Sequence, residues 1–529
     1  MRVSGARPAI RGRTLLLGGL LSSVIGFCAV VLCGASTVTR AEFPLDDAWI
    51  HLDYARGLLR DGLPTYNPAD PEAGFSSPLW MLCAAGVLLI AQVTGLSVVL
   101  LLKGAASVIG GVTAGVLARS VVGHGASARV ALLMAIIAPL GPWWATSAAS
   151  GMEVTLTALL LSMTFTALLT GRPLRAGVML ALATLARPEC AACAPALLVL
   201  GWATGRRAMV PQTCALATPT AAAAMVWMTY DLVVTGHPLP NTFYAKAHHV
   251  DLPRSVAFVW ATLTEDGVLV AVLMLGLVVA GFVRARTRAP RAGWALAALI
   301  IAPSLGVLAS RALNPAVLLY LRRYLYPFLL LLWWPAALGM QSIVDAVAAQ
   351  KLPRPRLAAG FAAASAVFAV LPSLFAARAL HAAQCRDIAT FHTAPALIIA
   401  AHTAPNAVVA VEGAGASRYF GDRVTVDLVG LNDHTLVHLP IAGEARLCHL
   451  LLARHPTWFV VPSSSMGRFS SGWRFVVHGA FQSDHYAQVD PPGRHEVLIL
   501  RAEARPEAVA RCAAVSAERG GVRALPSGP

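Results

Sequence analysis

Charge is scarce in this sequence. Of its 529 residues only 13% are Asp, Glu, Lys or Arg, where soluble domains carry roughly 25%. Hydrophobic residues make up 57%, and the mean hydropathy is +0.66. That balance excludes a soluble globular protein, a disordered chain and a secreted disulfide scaffold. Cysteine is sparse too: nine residues at irregular spacing predict neither a zinc site nor a disulfide framework. No P-loop, no dinucleotide fingerprint with a following acid and no H-E-x-x-H is present. ATP-driven transport and direct use of a nucleotide cofactor are thereby disfavoured. What charge there is sums to +15. Such an excess can mark a nucleic-acid binder, so its placement decides its meaning.

The composition changes near residue 378. Residues 1–377 hold 27 basic and 14 acidic residues among long apolar runs, and the remainder is nearly balanced. A membrane helix needs about 20 mostly apolar residues. Twelve runs approach this: 14–36, 78–95, 97–118, 129–147, 152–170, 175–188, 190–204, 209–232, 266–283, 292–310, 317–340 and 357–377. The first is longer than the apolar core of a signal peptide and reads as a retained helix. Short connections contain fifteen Lys and Arg without an acid: Arg2 to Arg13, Arg172 and Arg175, Arg206 and Arg207, Arg284 to Arg291, and Lys351 to Arg356. The positive-inside rule puts all of these in the cytoplasm. The N-terminus is then inside. Stretches 40–76, 233–265 and 311–316, and the tail, are outside. An inside start and an outside end require an odd number of crossings. The expected architecture is therefore a mainly α, polytopic transmembrane bundle with about 11 crossings. Pro139, Gly141 and Pro142 interrupt the apolar run within 78–147 where one segment is re-entrant or merged. The +15 becomes a topology signal, facing an anionic inner leaflet, and nucleic acid is not an expected partner.

Acids are expensive inside a bilayer. All 14 in the first part, except Asp345, fall at or near the outer face. The densest stretch is Phe43-Pro44-Leu45-Asp46-Asp47-Ala48-Trp49-Ile50-His51-Leu52-Asp53. Its apolar residues recur at helical spacing, predicting an amphipathic helix in the outer interface. Asp46 and Asp47 stand at its start, where carboxylates are favoured. One suffices as an N-cap, which leaves the other for chemistry. A carboxylate there can take a proton from a hydroxyl or ligate a divalent cation.

Several motifs then appear in order. After Asp-Asp-Ala-Trp-Ile come Tyr66-Asn67-Pro68 and Ser76-Ser77-Pro78-Leu79-Trp80. Ser150-Gly151-Met152-Glu153 and Ala186-Arg187-Pro188-Glu189 follow. Next are Gly236-His237-Pro238-Leu239-Pro240-Asn241-Thr242-Phe243-Tyr244-Ala245-Lys246 and Arg322-Arg323-Tyr324-Leu325-Tyr326-Pro327. Together, over roughly residues 40–330, the chain resembles the polytopic GT-C glycosyltransferases. Within these it is most similar to the actinobacterial arabinofuranosyltransferase-like group. The tail runs 408–415 and 424–433 resemble the outer soluble domain of the same group. Short β runs at 407–412, 423–429, 457–462, 474–478 and 496–501, with a helix over 441–454, predict a small α/β domain there. The domain plan is a GT-C-like transmembrane catalytic domain over 1–377, an extracytoplasmic α/β domain over 378–504 and a flexible tail over 505–529.

The resemblance implies a membrane enzyme that moves a sugar from a polyprenyl-phosphate donor to an acceptor hydroxyl on the outer face of the cytoplasmic membrane. The acceptor would be a glycan or lipid-linked molecule of the cell envelope. Asp46 or Asp47 is the implied base. Asp47 has a second reading as ligand of a divalent cation, Mg or Mn. Implied cations for the departing phosphate are Lys246, Arg187, Arg322 and Arg323. Glu153, Glu189, Asn241, Tyr244 and His248 complete the implied substrate contacts. Each has a plainer alternative. Arg322 and Arg323 can snorkel at a helix end, and Lys246 can be a solvated loop lysine. Glu153 can cap a helix, and Glu189 can pair with Arg187. Cys190 and Cys193 read as helix packing. Asp427 and Asp433 read as turn or capping residues. A secondary transporter or lipid flippase is the alternative function, but no internal repeat supports it. A non-catalytic scaffold would leave the Asp-Asp helix unexplained.

Overall fold

The structure, a computed structural model, describes residues 12–33, 37–203, 210–246, 251–264, 268–310, 322–349, 374–440, 443–462, 480–489 and 497–518. The chain divides into two compact units. The first comprises residues 1–45, 76–229 and 246–385. The second comprises 46–75, 230–245 and 386–529. The second therefore gathers two segments from the predicted outer loops around the C-terminal region.

The first unit is helical. Five described helices are long and apolar enough to cross a membrane: Gly12–Leu32, Val98–Gly123, Val270–Arg288, Ala292–Ala309 and Tyr326–Ala349. A sixth candidate is the pair Ala128–Leu140 and Pro142–Ala148, bent by 61°. The break falls at Gly141, inside the interruption that the sequence marks. Four shorter apolar helices follow Pro78, Val154, Pro173 and Pro188. Starts are set locally. Ser77, Ser97 and Ser127 each accept the backbone N–H three residues on, and Pro78 occupies a first-turn position where its missing donor is harmless. Packing relies on small residues, as it must where lipid is as apolar as the core. Gly19 lies against Gly111 and Gly115. A Cβ on Gly19 would stand 2.5 Å from the Gly111 carbonyl oxygen, and one on Gly111 would stand 2.8 Å from the Cα of Leu20. The apolar run at 357–377 lies mostly outside the described residues.

The second unit contains a hairpin, β1 (Thr65–Asn67) with β2 (Asp70–Pro71), and a five-stranded mixed sheet. The sheet strands are β3 (Val408–Val411), β4 (Val424–Asp427), β5 (Trp458–Pro462), β6 (Phe481–Val489) and β7 (Val497–Ala504), in spatial order β4-β3-β5-β7-β6. β3 runs parallel to β4 and β5, whereas β7 is antiparallel to β5 and β6. Its core joins Val426, Leu428, Leu450, Phe459 and Phe481. Four of the five predicted strands match these elements, and the run at 474–478 lies outside the described residues. The predicted 441–454 helix appears as Glu444–His449 continued by a wider turn, Leu450–Arg454.

Three expectations change. Residues 506–518 form a helix rather than a loose tail. A disulfide links Cys448 to Cys512 across 64 residues of sequence, anchoring that helix. Irregular cysteine spacing concealed a pair that only the fold brings together. Finally, helix Asp47–Asp61 does not leave Trp49, Leu52 and Ala55 open on its apolar face. That face is packed inside the second unit, where Trp49 meets the rings of Tyr419 at 4.6 Å and Phe420 at 4.7 Å. Gly62 ends the helix with φ of +74°, a left-handed turn that glycine adopts without strain.

Candidate functional site

In the first unit three sequence motifs converge on Arg187. Its Nη1 donates to Glu153 Oε1 at 3.0 Å and to the Arg323 carbonyl at 3.1 Å, and its Nε lies 3.5 Å from Glu189 Oε2. Arg187 is 3% exposed, and its guanidinium sits 5.2 Å from the centre of the Tyr324 ring. Glu153 precedes its helix without capping it through the side chain. Glu189 takes the pairing that its two-residue spacing suggested. A buried Arg with two carboxylates has its charge answered within the protein, so Arg187 is an organiser of these segments rather than an open phosphate contact. A fourth motif joins the cluster: Trp80 Nε1 donates to the Gly151 carbonyl at 2.9 Å.

Beside this cluster lies a partly open cavity. Trp143, Thr146 and Ser147 of helix Pro142–Ala148 line it, with Ser150, Val154, Arg323, Tyr326, Pro44 and Leu45. Leu380, His381 and Gln384 of the helix over 374–388 complete it. Among these residues there is no acid, and Arg323 supplies the fixed positive charge. Apolar side chains and a few convergent polar groups are the usual composition of a ligand cavity. The Thr146 hydroxyl donates to the Pro142 carbonyl and that of Ser150 to the Ser147 carbonyl. These two hydroxyls therefore offer the cavity lone pairs, not protons.

One contributor escaped the sequence reading. Lys103 sits in helix Val98–Gly123 with no exposed surface. Its ammonium donates to the carbonyls of Thr39 and Glu42, each at 2.8 Å, and lies 3.3 Å from His381 Nε2. A lone lysine inside an apolar run was the available signal, because a charge at that depth needs partners.

In the second unit, Asp46 and Asp47 part company. Asp46 precedes helix Asp47–Asp61 but does not cap it through the side chain. Its carboxylate instead accepts the backbone N–H groups of Gly415 and Ala416, both at 2.8 Å, with one oxygen for each. Asp47, the first residue of the helix, is half-buried. Two turns of chemistry beyond, Asp53 is 2% exposed and accepts from Arg56 at 3.0 Å. Burial pushes its carboxyl up to about 8, against the attraction of Arg56 and Arg418.

Asn241 and Tyr244 belong to the same unit. Asn241 Nδ2 donates to Glu72 Oε2 at 3.1 Å, while Glu72 Oε1 lies 2.8 Å from His434 Nδ1. Glu72 has no exposed surface and so ties three distant segments together. Tyr244 packs its ring against His237 and His438. Asp427 and Asp433 serve turns: Asp427 accepts from Val429, Gly430 and Asn432, and Asp433 from Thr435 and Leu436. Burial is outweighed at Asp433 by His449 and Arg454, which hold it at about 2. Lys246 ends helix Asn241–Lys246 and is half-buried. His248 and the side chain of Arg322 lie outside the described residues. For a cation, the described residues contain no group of three His, Cys, Asp or Glu that could hold one.

A helical bundle with a buried Arg–Glu cluster beside a cavity, and a second unit that absorbs an Asp-Asp helix, defines an architecture that can be compared. The family described as Domain of unknown function (DUF8728) matches residues 379–500. No curated protein matches the chain by sequence. Among solved structures, the chain is similar to ArnT from Cupriavidus metallidurans in the apo state. The TM-score is 0.59 at 15% identity, covering 92% of this chain and 97% of that one. ArnT bound to undecaprenyl phosphate matches over the same shares, with TM-score 0.55 and 14% identity. The archaeal oligosaccharyltransferase AglB from Archaeoglobus fulgidus, in complex with an inhibitory peptide and a dolichol-phosphate, matches with TM-score 0.58 and 12% identity. There the match covers 94% of this chain and 74% of that one. The fold is thus that of the GT-C glycosyltransferases.

Proposed function

We propose that the chain is a membrane glycosyltransferase that takes a sugar from a polyprenyl-phosphate carrier and delivers it to an acceptor hydroxyl outside the cytoplasmic membrane. The observation that carries this reading is the cavity of the first unit. Arg323 stands there among apolar side chains, with no acid among the described lining residues, as an anionic headgroup on an apolar chain would require. The likeness to ArnT with undecaprenyl phosphate and to AglB with dolichol-phosphate supports it. The Cys448–Cys512 disulfide supports an outer location for the second unit, because structural disulfides persist in oxidising compartments. A cell-envelope acceptor and arabinofuranosyltransferase-like chemistry, with a pentose rather than a hexose, remain the finer reading drawn from the motifs.

In this mechanism Asp47 accepts the proton of the acceptor hydroxyl. The hydroxyl oxygen attacks the anomeric carbon, and the bond to the phosphate oxygen breaks with inversion. The phosphate keeps the electron pair, and Arg323 and Lys246 stabilise its charge. Asp47 is taken as the base, and both Asp46 oxygens accept backbone N–H groups. Asp46 is then a positioning residue. A general base contributes typically 10²–10⁴-fold. Asp47→Asn is expected to lower kcat for outer-face sugar transfer in that range. Asp46→Asn keeps one acceptor oxygen and is expected to retain measurable turnover. Equal turnover in wild type and Asp47→Asn would refute the assignment.

A further inference from the structure

We propose that His381 is a hydrogen-bond donor to the bound carrier phosphate, and that Lys103 is the positioning residue that fixes its protonation pattern. The inference rests on the cavity being the carrier-phosphate site. It begins with the hydrogen-bond chemistry of an ammonium, which has three donors and no acceptor. Lys103 directs two protons to the Thr39 and Glu42 carbonyls and the third to His381 Nε2. The Cys385 sulfur is farther, at 4.0 Å. A ring nitrogen that accepts from Lys103 carries no proton, so the neutral imidazole must hold its proton on Nδ1. No described residue forms a hydrogen bond with that Nδ1, and His381 lines the cavity. Its N–H is therefore a donor with its partner still to come.

The rest of the cavity makes such a donor useful. Thr146 and Ser150 give their protons to backbone carbonyls. Arg323 brings positive charge to the cavity, and Ser147, Gln384 and His381 line it beside that charge. Lys103 does a second task through the same ammonium: it holds the segment ending in Pro44 and Leu45, which also line the cavity.

Two isosteric replacements separate the atoms. In His381→Asn the amide nitrogen occupies the position of Nδ1, keeping the donor. In His381→Gln the amide reaches the position of Nε2, keeping the Lys103 contact and losing the donor. Binding of undecaprenyl monophosphate to the full chain in detergent is measured, with melting temperature as the control for folding. The expected result is a Kd within about 3-fold of wild type for His381→Asn and at least 10-fold weaker for His381→Gln, a loss of about 1.4 kcal/mol. Nitrogen-15 spectra of histidine-labelled protein, with the His381 resonance identified by its loss in His381→Asn, should show the Nδ1–H tautomer. Lys103→Met should shift it toward Nε2–H, a change that a merely structural lysine would not produce. Wild-type binding with unchanged affinity in His381→Gln, or an Nε2–H resonance in wild type, overturns the assignment. A wild type that binds no polyprenyl phosphate overturns the reading of the cavity itself.

Discussion

A carboxylate's role follows from what already occupies its oxygens. Asp46 and Asp47 are neighbours with the same chemistry, and the sequence leaves their roles interchangeable. The structure gives Asp46 two backbone partners 369 and 370 residues away, which no local pattern foretells. Asp53 shows the same logic through pH. Its folded value near 8 exceeds the ordinary Asp value of about 3.9. The folded state therefore keeps a proton that the unfolded state loses between these values. Stability should fall as pH rises from about 4 to about 8 and then level. Asp53→Asn should flatten that fall in melting temperature, and an unchanged pH slope in the variant would count against it. Arg187 makes a sharper case. Its pairing with Glu189 is legible from their spacing, whereas that with Glu153, 34 residues away, is not. Glu153→Ala removes one buried partner and should destabilise the first unit by about 3 kcal/mol, read as a lowered unfolding midpoint. A loss under about 0.5 kcal/mol would show that the pair is not buried as described.

Elements were the most legible level. Apolar runs mark the helices, and alternation with turn residues marks β3, β4, β5 and β7 close to their observed bounds. The bend at Gly141 is written in Pro139, Gly141 and Pro142. Helix Asp47–Asp61 was read correctly as a helix, and the face expected to meet the outer interface packs against protein. An amphipathic face records that something apolar covers it, without naming lipid or protein. The cover here is Tyr419 and Phe420. Lys103 went unread for the opposite reason: one charge scarcely perturbs the hydropathy of a 26-residue helix. Close helix approach gives a test at this scale. Gly19→Ala and Gly111→Ala each place a methyl against opposing backbone, at 2.5 Å and 2.8 Å. Each should cost about 1–3 kcal/mol, seen as a lower melting temperature in detergent. Gly104→Ala, in the same helix with open space around it, should leave the melting temperature unchanged.

At the scale of the whole chain, scarce charge announced a membrane protein, and its placement suggested an orientation. What stayed hidden is that residues 46–75 and 230–245 fold with the C-terminal region, because long-range pairing leaves no periodic trace. The disulfide was hidden likewise, with its cysteines 64 residues apart. It now offers an orientation test independent of basic residues. In intact cells, Cys448 and Cys512 should resist maleimide labelling until a reductant that does not cross the membrane is added. Labelling of both without reductant would contradict an oxidising, outer location. The central claim is transfer from a polyprenyl-phosphate sugar, and the most direct measurement follows the carrier. The purified chain is placed in liposomes with radiolabelled polyprenyl-phosphate pentose or hexose and envelope glycan as acceptor, and free polyprenyl phosphate and labelled product are counted together. The account predicts their release in equal amounts by the wild type and at least a 10²-fold loss in Asp47→Asn. Transfer at the wild-type rate by Asp47→Asn, or no carrier release by the wild type from any donor supplied, would contradict it.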